Sequence, residues 1–137
     1  MTDRTKDRRK IRSDAFEIAV DLQLSHVAHV LDLRALILAD DFGRKIAGVG
    51  DPDLGEVLSA LGMWIEFNGG EVDDFTLEAI QERDPSFGSE HVVTQAIDLP
   101  GSDMKLQLIA LGRSIVASIG VSHAAQGIVR IHRGAPN

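Results

Sequence analysis

The segment Leu36-Ile-Leu-Ala-Asp-Asp-Phe-Gly-Arg-Lys-Ile-Ala-Gly-Val leaves the chain few folding options. Leu36, Ile37, Leu38 and Ala39 form an uninterrupted apolar run, the mark of a buried strand. Asp40-Asp41-Phe42-Gly43 then supplies the Asp and Gly chemistry of a tight hairpin turn. Lys45 to Val49 reads as the return strand, short and glycine-bearing, as expected near a sheet edge. Asp51-Pro52-Asp53 follows as a helix start, with an acceptor at the N-cap, Pro at the first helical position and a carboxylate in the first turn. Leu54, Val57, Leu58, Leu61, Trp64 and Ile65 repeat at intervals of three and four, one apolar face of a helix that Asn68-Gly69-Gly70 ends.

The flanks complete the pattern. A first helix is expected from Ser13 or Asp14 to about Asp32, with polar residues at Asp14, Glu17, Asp21, Ser25 and Asp32. Its apolar residues, among them Phe16, Ile18, Leu22, Val27 and Leu31, cover more than the roughly 100° needed to dock on one surface. Residues 71–90 form an acidic insert in which Asp74 to Arg83 reads as a short capped helix, in preference to a strand with Phe75, Leu77 and Ala79 inward. Three strands are expected at His91 to Leu99, Met104 to Leu111 and Ser114 to Val121, joined by connections short enough for antiparallel hairpins. Ser122 would cap a last helix with Ala125, Ile128, Val129 and His132 facing inward. The expected fold is α+β: helix, two strands, helix, acidic insert, three strands, helix. A five-stranded antiparallel sheet flanked by helices buries these elements economically.

At 137 residues and 44% hydrophobic content, one domain over residues 13–137 with a single core is expected. Residues 1–12, MTDRTKDRRKIR, carry a net +4 and read as a flexible basic tail without the apolar stretch of a signal peptide. The absence of cysteine excludes disulfides, thiolate zinc sites and a cysteine nucleophile, and together these features point to a cytoplasmic protein. Net charge is −7, distributed as −7 over residues 13–70, −6 over residues 71–90 and +2 over residues 91–137. Such a body repels a phosphate backbone, and 4% aromatic content gives no stacking platform, so neither nucleic acid nor membrane is an expected partner. The acidic surface formed by Glu71, Asp73, Asp74, Glu78 and Glu82 would instead steer a basic macromolecule toward the chain.

Candidate chemical sites fail one by one. Gly48-Val-Gly50-Asp-Pro-Asp-Leu-Gly55 lies between strand and helix but has Asp53 where a dinucleotide loop wants its third glycine, and Asp51 and Asp53 place negative charge at the anion position. His26, His29 and Asp32 recur at intervals of three, without the spacing or the second cluster of a zinc site. His91, His123 and His132 are single, Ser122-His123 lacks a nucleophile elbow, and Asp40-Asp41 and Asp73-Asp74 sit in turns that favour Asp for backbone reasons. No catalytic residue, metal or cofactor is expected. A homodimer is expected, because the first helix is too apolar for one sheet face; Val27 and Leu31 are its candidate contacts.

The run from Leu36 through the turn to Gly48, followed by the amphipathic helix through Leu61, resembles the first hairpin and long helix of the roadblock/dynein light chain family, which has a profilin-like fold. Residues 91–132 are similar to the rest of that domain. The resemblance implies a non-enzymatic dimeric adaptor or regulatory protein whose partner is a small GTPase or motor-type protein. It also implies a second mode of dimerisation, edge pairing of the strand His91 to Leu99 around Thr94. The long first helix and the insert are also accommodated by GAF domains, whose resemblance implies a small-ligand sensor.

Overall fold

A computed structural model describes residues 2–83, 85, 92–103 and 105–134, with the side chains of residues 1–14 and 114 outside the description. Helix α1 spans Thr2–Leu31 and is followed by β1 (Ala35–Asp40), β2 (Lys45–Val49), α2 (Pro52–Phe67), α3 (Asp74–Gln81), β3 (Val92–Asp98), β4 (Lys105–Leu111) and α4 (Ser114–His132). The strands form one antiparallel sheet in the order β2-β1-β4-β3.

Helices cover both faces of the sheet, which explains the unbroken apolar run of β1. Leu36 and Leu38, with Leu106, Leu108 and Ala110 of β4, pack under α1 and α4 through Val20, Leu24, Val27, Val121 and Ile128. Ala35, Ile37 and Ala39, with Ile109 and Leu111, pack against Leu54, Leu58 and Ile65 of α2 and Ile80 of α3. Each of these fully buried Leu and Ile side chains contributes about 1.5–3 kcal/mol by leaving water. Gly62 lets α2 lie close to the sheet, since a Cβ there would fall 2.7 Å from Ile109 Cδ1.

The hairpin and α2 follow the sequence closely. Asp51 Oδ1 accepts hydrogen bonds from the N–H groups of Asp53 at 2.8 Å and Leu54 at 3.4 Å. The N-terminal amides that an anion would need are therefore capped from within the chain. At the other end Gly70 N–H donates to Ile65 carbonyl, with Gly69 and Gly70 at φ 72° and 86°, the left-handed backbone that glycine permits.

One boundary of the first helix corrects the sequence reading, and the other agrees with it. Helix α1 starts at Thr2, so the basic segment is continuous with the helix and Ser13 and Asp14 lie inside it. Its C-terminal end places Asp32 at φ 53°, with Leu33 N–H donating to Ala28 carbonyl at 2.9 Å, a closure in which Asp is one of the tolerated residues.

The larger correction concerns residues 114–121, which form the first half of α4, so that among the described residues the sheet has four strands rather than five. Both edges of β4 are taken, by β1 and β3, and a hairpin partner after Leu111 would have no ladder to join. Ile115, Ile119 and Val121 mimic strand alternation in sequence, yet the buried positions Ala117, Gly120, Val121, Ala124, Ala125 and Ile128 have helical spacing. Ser122 is consequently an exposed residue in mid-helix rather than a cap. The end of α4 is tied down by His132, whose Nε2 lies 3.0 Å from Pro100 carbonyl and whose ring meets Phe16 edge-on at 6.4 Å.

Candidate interaction surfaces

The paired carboxylates at the turns are engaged in shaping backbone. Asp40 Oδ1 accepts from the N–H groups of Phe42 and Arg44, each at 2.9 Å, and Oδ2 accepts from Arg44 Nε at 2.9 Å. Partial burial works to raise the pKa of Asp40, but these hydrogen bonds and the guanidinium outweigh it and hold the carboxyl below its ordinary range. Asp73 N-caps α3 through a 2.8 Å bond from Thr76 N–H and accepts from Trp64 Nε1 at 2.8 Å. The Thr76 N–H and then the Trp64 indole keep its carboxyl below the ordinary value. The helix expected at Asp74 is thus present, and Asp73 differs from its exposed neighbours Glu71, Asp74, Glu78 and Glu82, none of which shares its two structural bonds.

Of the histidines, His26, His29 and His123 are exposed, and His91 lies outside the described residues. Asp32, turned out of the helix at its end, does not extend the His26 and His29 row. Among the described residues no group of three His, Cys, Asp or Glu side chains is placed to hold a metal ion.

Of the candidate dimer contacts on α1, Val27 is 2% exposed and belongs to the core beneath α4, while Leu31 is half-buried against the same core. The physical reason is that α1 has two apolar faces, and Val27 lies on the inner one. The outer one carries Ile18, Leu22 and Val30, which are 64%, 69% and 63% exposed and form with His26 a row at intervals of four. Helix α4 packs beside α1, with Gly120 facing Leu31 and Gly127 facing Gln23, and adds Ile115 and Ile119, 77% and 54% exposed. Ile18 and Leu22 are apolar positions of the first helix in sequence, but helical spacing alone does not separate its outer from its inner face. It concealed Ile115 and Ile119 inside an apparent strand.

The two sheet edges are treated differently. On β2, Gly48 N–H donates to Asp21 Oδ1 at 2.9 Å, and the pairing with β1 shifts register between Leu38 and Ala39. On β3, pairing with β4 is continuous from Val92 to Asp98, and Thr94, the residue named for edge pairing, donates through Oγ1 to Glu66 Oε2 of α2 at 2.8 Å. Between β3 and α4 runs an open groove of about 620 Å³, with Gln95 and Ile97 on the strand side and Ser122, Gln126, Arg130 and Arg133 on the helix side. No described helix is long and apolar enough to cross a membrane.

No protein-family model matches the chain, and no curated protein matches its sequence. Among solved structures, the fold is similar to that of Myxococcus xanthus MglB, with a TM-score of 0.49 and 8% sequence identity over 88% of this chain and 92% of that one.

Proposed function

We propose that the chain is a non-enzymatic homodimeric adaptor that acts by binding another protein. The observation that carries the reading is the outer face of α1 and α4, where Ile18, Leu22, Val30, Ile115 and Ile119 all stand more than half exposed. Large aliphatic side chains left exposed along the helical layer that covers one face of the sheet are the residues that an interface would bury. Among the described residues, the carboxyls of lowered pKa, Asp40 and Asp73, are accounted for by a turn and a helix cap. The resemblance of the hairpin and α2 segment to roadblock proteins favours a small GTPase or motor-type partner, and the acidic residues Glu71, Asp74, Glu78 and Glu82 favour approach by a basic surface.

Sedimentation velocity of the full chain at micromolar concentration tests the dimer. A dimer that becomes monomeric in Leu22→Glu supports the outer face of α1 as the contact, and a wild-type monomer rejects it. Native mass spectrometry of the same sample separates the adaptor from a GAF-like sensor: a stoichiometric co-purified small molecule would favour the sensor.

A further inference from the structure

Resting on the protein-binding reading above, we propose that the groove between β3 and α4 receives an extended acidic segment of a partner protein, which joins β3 as a fifth strand. The asymmetry of the two edges is the first support. The β2 edge is five residues long, irregular in register and closed at Gly48 by the Asp21 carboxylate. The β3 edge is seven residues long, regular, and composed of Val92-Val-Thr-Gln-Ala-Ile-Asp98, with neither the Lys nor the Pro that commonly blunts an edge. Alternate backbone N–H and C=O groups of such an edge point outward and offer a ladder to an incoming strand.

Shape is the second support. A strand added at about 4.8 Å from β3 sends every second side chain toward the helix-covered side of the sheet. There the wall of α4 stands back from β3 and leaves about 620 Å³, with Gln95 and Ile97 beside the incoming chain and Ser122 and Gln126 above it. Peptide backbone supplies affinity and the alternate side chains supply selectivity in such an arrangement.

Charge identifies the occupant. Arg130 and Arg133 are exposed at the end of the groove, and neither has an ion-pair partner among the described residues. Among the described residues Asp98 is the one acid lining the same groove, so this lining carries net positive charge on a chain whose residues 13–90 carry seventeen acids and four bases. A carboxylate placed between the two guanidinium groups forms charge-assisted hydrogen bonds that a basic or neutral side chain lacks.

The test selects dodecapeptides from a random phage-displayed library on the purified full chain and then uses the enriched peptide, synthesised with fluorescein, as the probe. The expected peptides are acidic and alternating in pattern. Their affinity falls about tenfold or more in Arg130→Glu/Arg133→Glu and when the peptide backbone is N-methylated at alternate residues. Amide exchange of Val93 to Asp98 slows on binding, and an unchanged melting temperature shows that the double variant is folded. Enrichment of peptides indifferent to the arginine pair or to N-methylation overturns the proposal, as does no enrichment above an unrelated protein. A wild-type dimer dissociated by Ala96→Pro but not by Leu22→Glu also overturns it, because a second copy then occupies the edge. Loss of the groove with Leu22-dependent dimerisation intact leaves the adaptor reading standing; peptide binding by a strict monomer leaves the groove and removes the proposed dimer.

Discussion

The indole N–H of Trp64 donates to Oδ2 of Asp73 across 2.8 Å, fastening the C-terminal half of α2 to the first turn of α3. The same carboxylate caps α3 through Thr76 N–H, so one side chain anchors the described helix of the acidic insert. Asp73→Ala is expected to shift Trp64 fluorescence and to speed amide exchange over Asp74 to Gln81 while the sheet amides remain protected. Unchanged exchange in α3 would show that Ile80 burial alone holds it.

Acid should loosen both carboxylate anchors. The folded-state pKa values of Asp40 and Asp73 are lowered relative to the unfolded chain. Their contribution is therefore fully present above the unfolded value of about 3.9 and is lost as pH falls through the lower folded values. Denaturant titrations between about pH 5 and pH 2 should show this loss. Asp40→Asn, which keeps an acceptor but removes the charge, should flatten part of the slope. At neutral pH, Asp40→Ala should cost about 1 kcal/mol through the lost turn hydrogen bonds.

Val27→Glu and Leu22→Glu should separate core from surface on one helix. Val27 lies against the α4 side of the core, where an unpaired carboxylate should destabilise the fold by about 3 kcal/mol or more. Leu22, 69% exposed in the single chain, should tolerate the same change to within about 0.5 kcal/mol at protein concentrations too low for a dimer to contribute. Urea midpoints of the two variants provide the comparison.

Neutralising Glu71, Asp74, Glu78 and Glu82 together, with Asp73 left in place, should leave the melting temperature nearly unchanged, because exposed charges contribute little to stability. Association with a basic protein partner should slow in this variant, and its salt dependence should weaken, since screening acts over about 10 Å at 0.1 M ionic strength. Identical association rates and salt slopes would remove the acidic surface from the encounter.

Local chemistry made much of this molecule readable in advance. The turn at Asp40, the cap at Asp51 and the glycine pair at Gly69-Gly70 each act within a few residues, and each appears where the sequence requires it. Residues 114–121 were not readable in that way. Their β-branched alternation was decided by the occupancy of the edges of β4, a relation among residues far apart in the chain. The inward position of Val27 likewise depends on where α4 packs. The groove at Arg130 and Arg133 escaped notice because two cations near a helix end also satisfy its dipole, and only the neighbouring strand turns them into a wall.

The Asp21 carboxylate on Gly48 limits how copies of this protein can multiply through their sheets. Growth into a fibre requires two receptive edges per molecule, one to accept the previous copy and one to present to the next. Here the β2 end is closed from within the chain, so the molecule is a terminator on one side. Any sheet-to-sheet union through β3 consumes the remaining edge of both participants, so a continuous sheet extends over no more than two copies. Asp21 thereby leaves the sheet a single direction in which another chain can extend it.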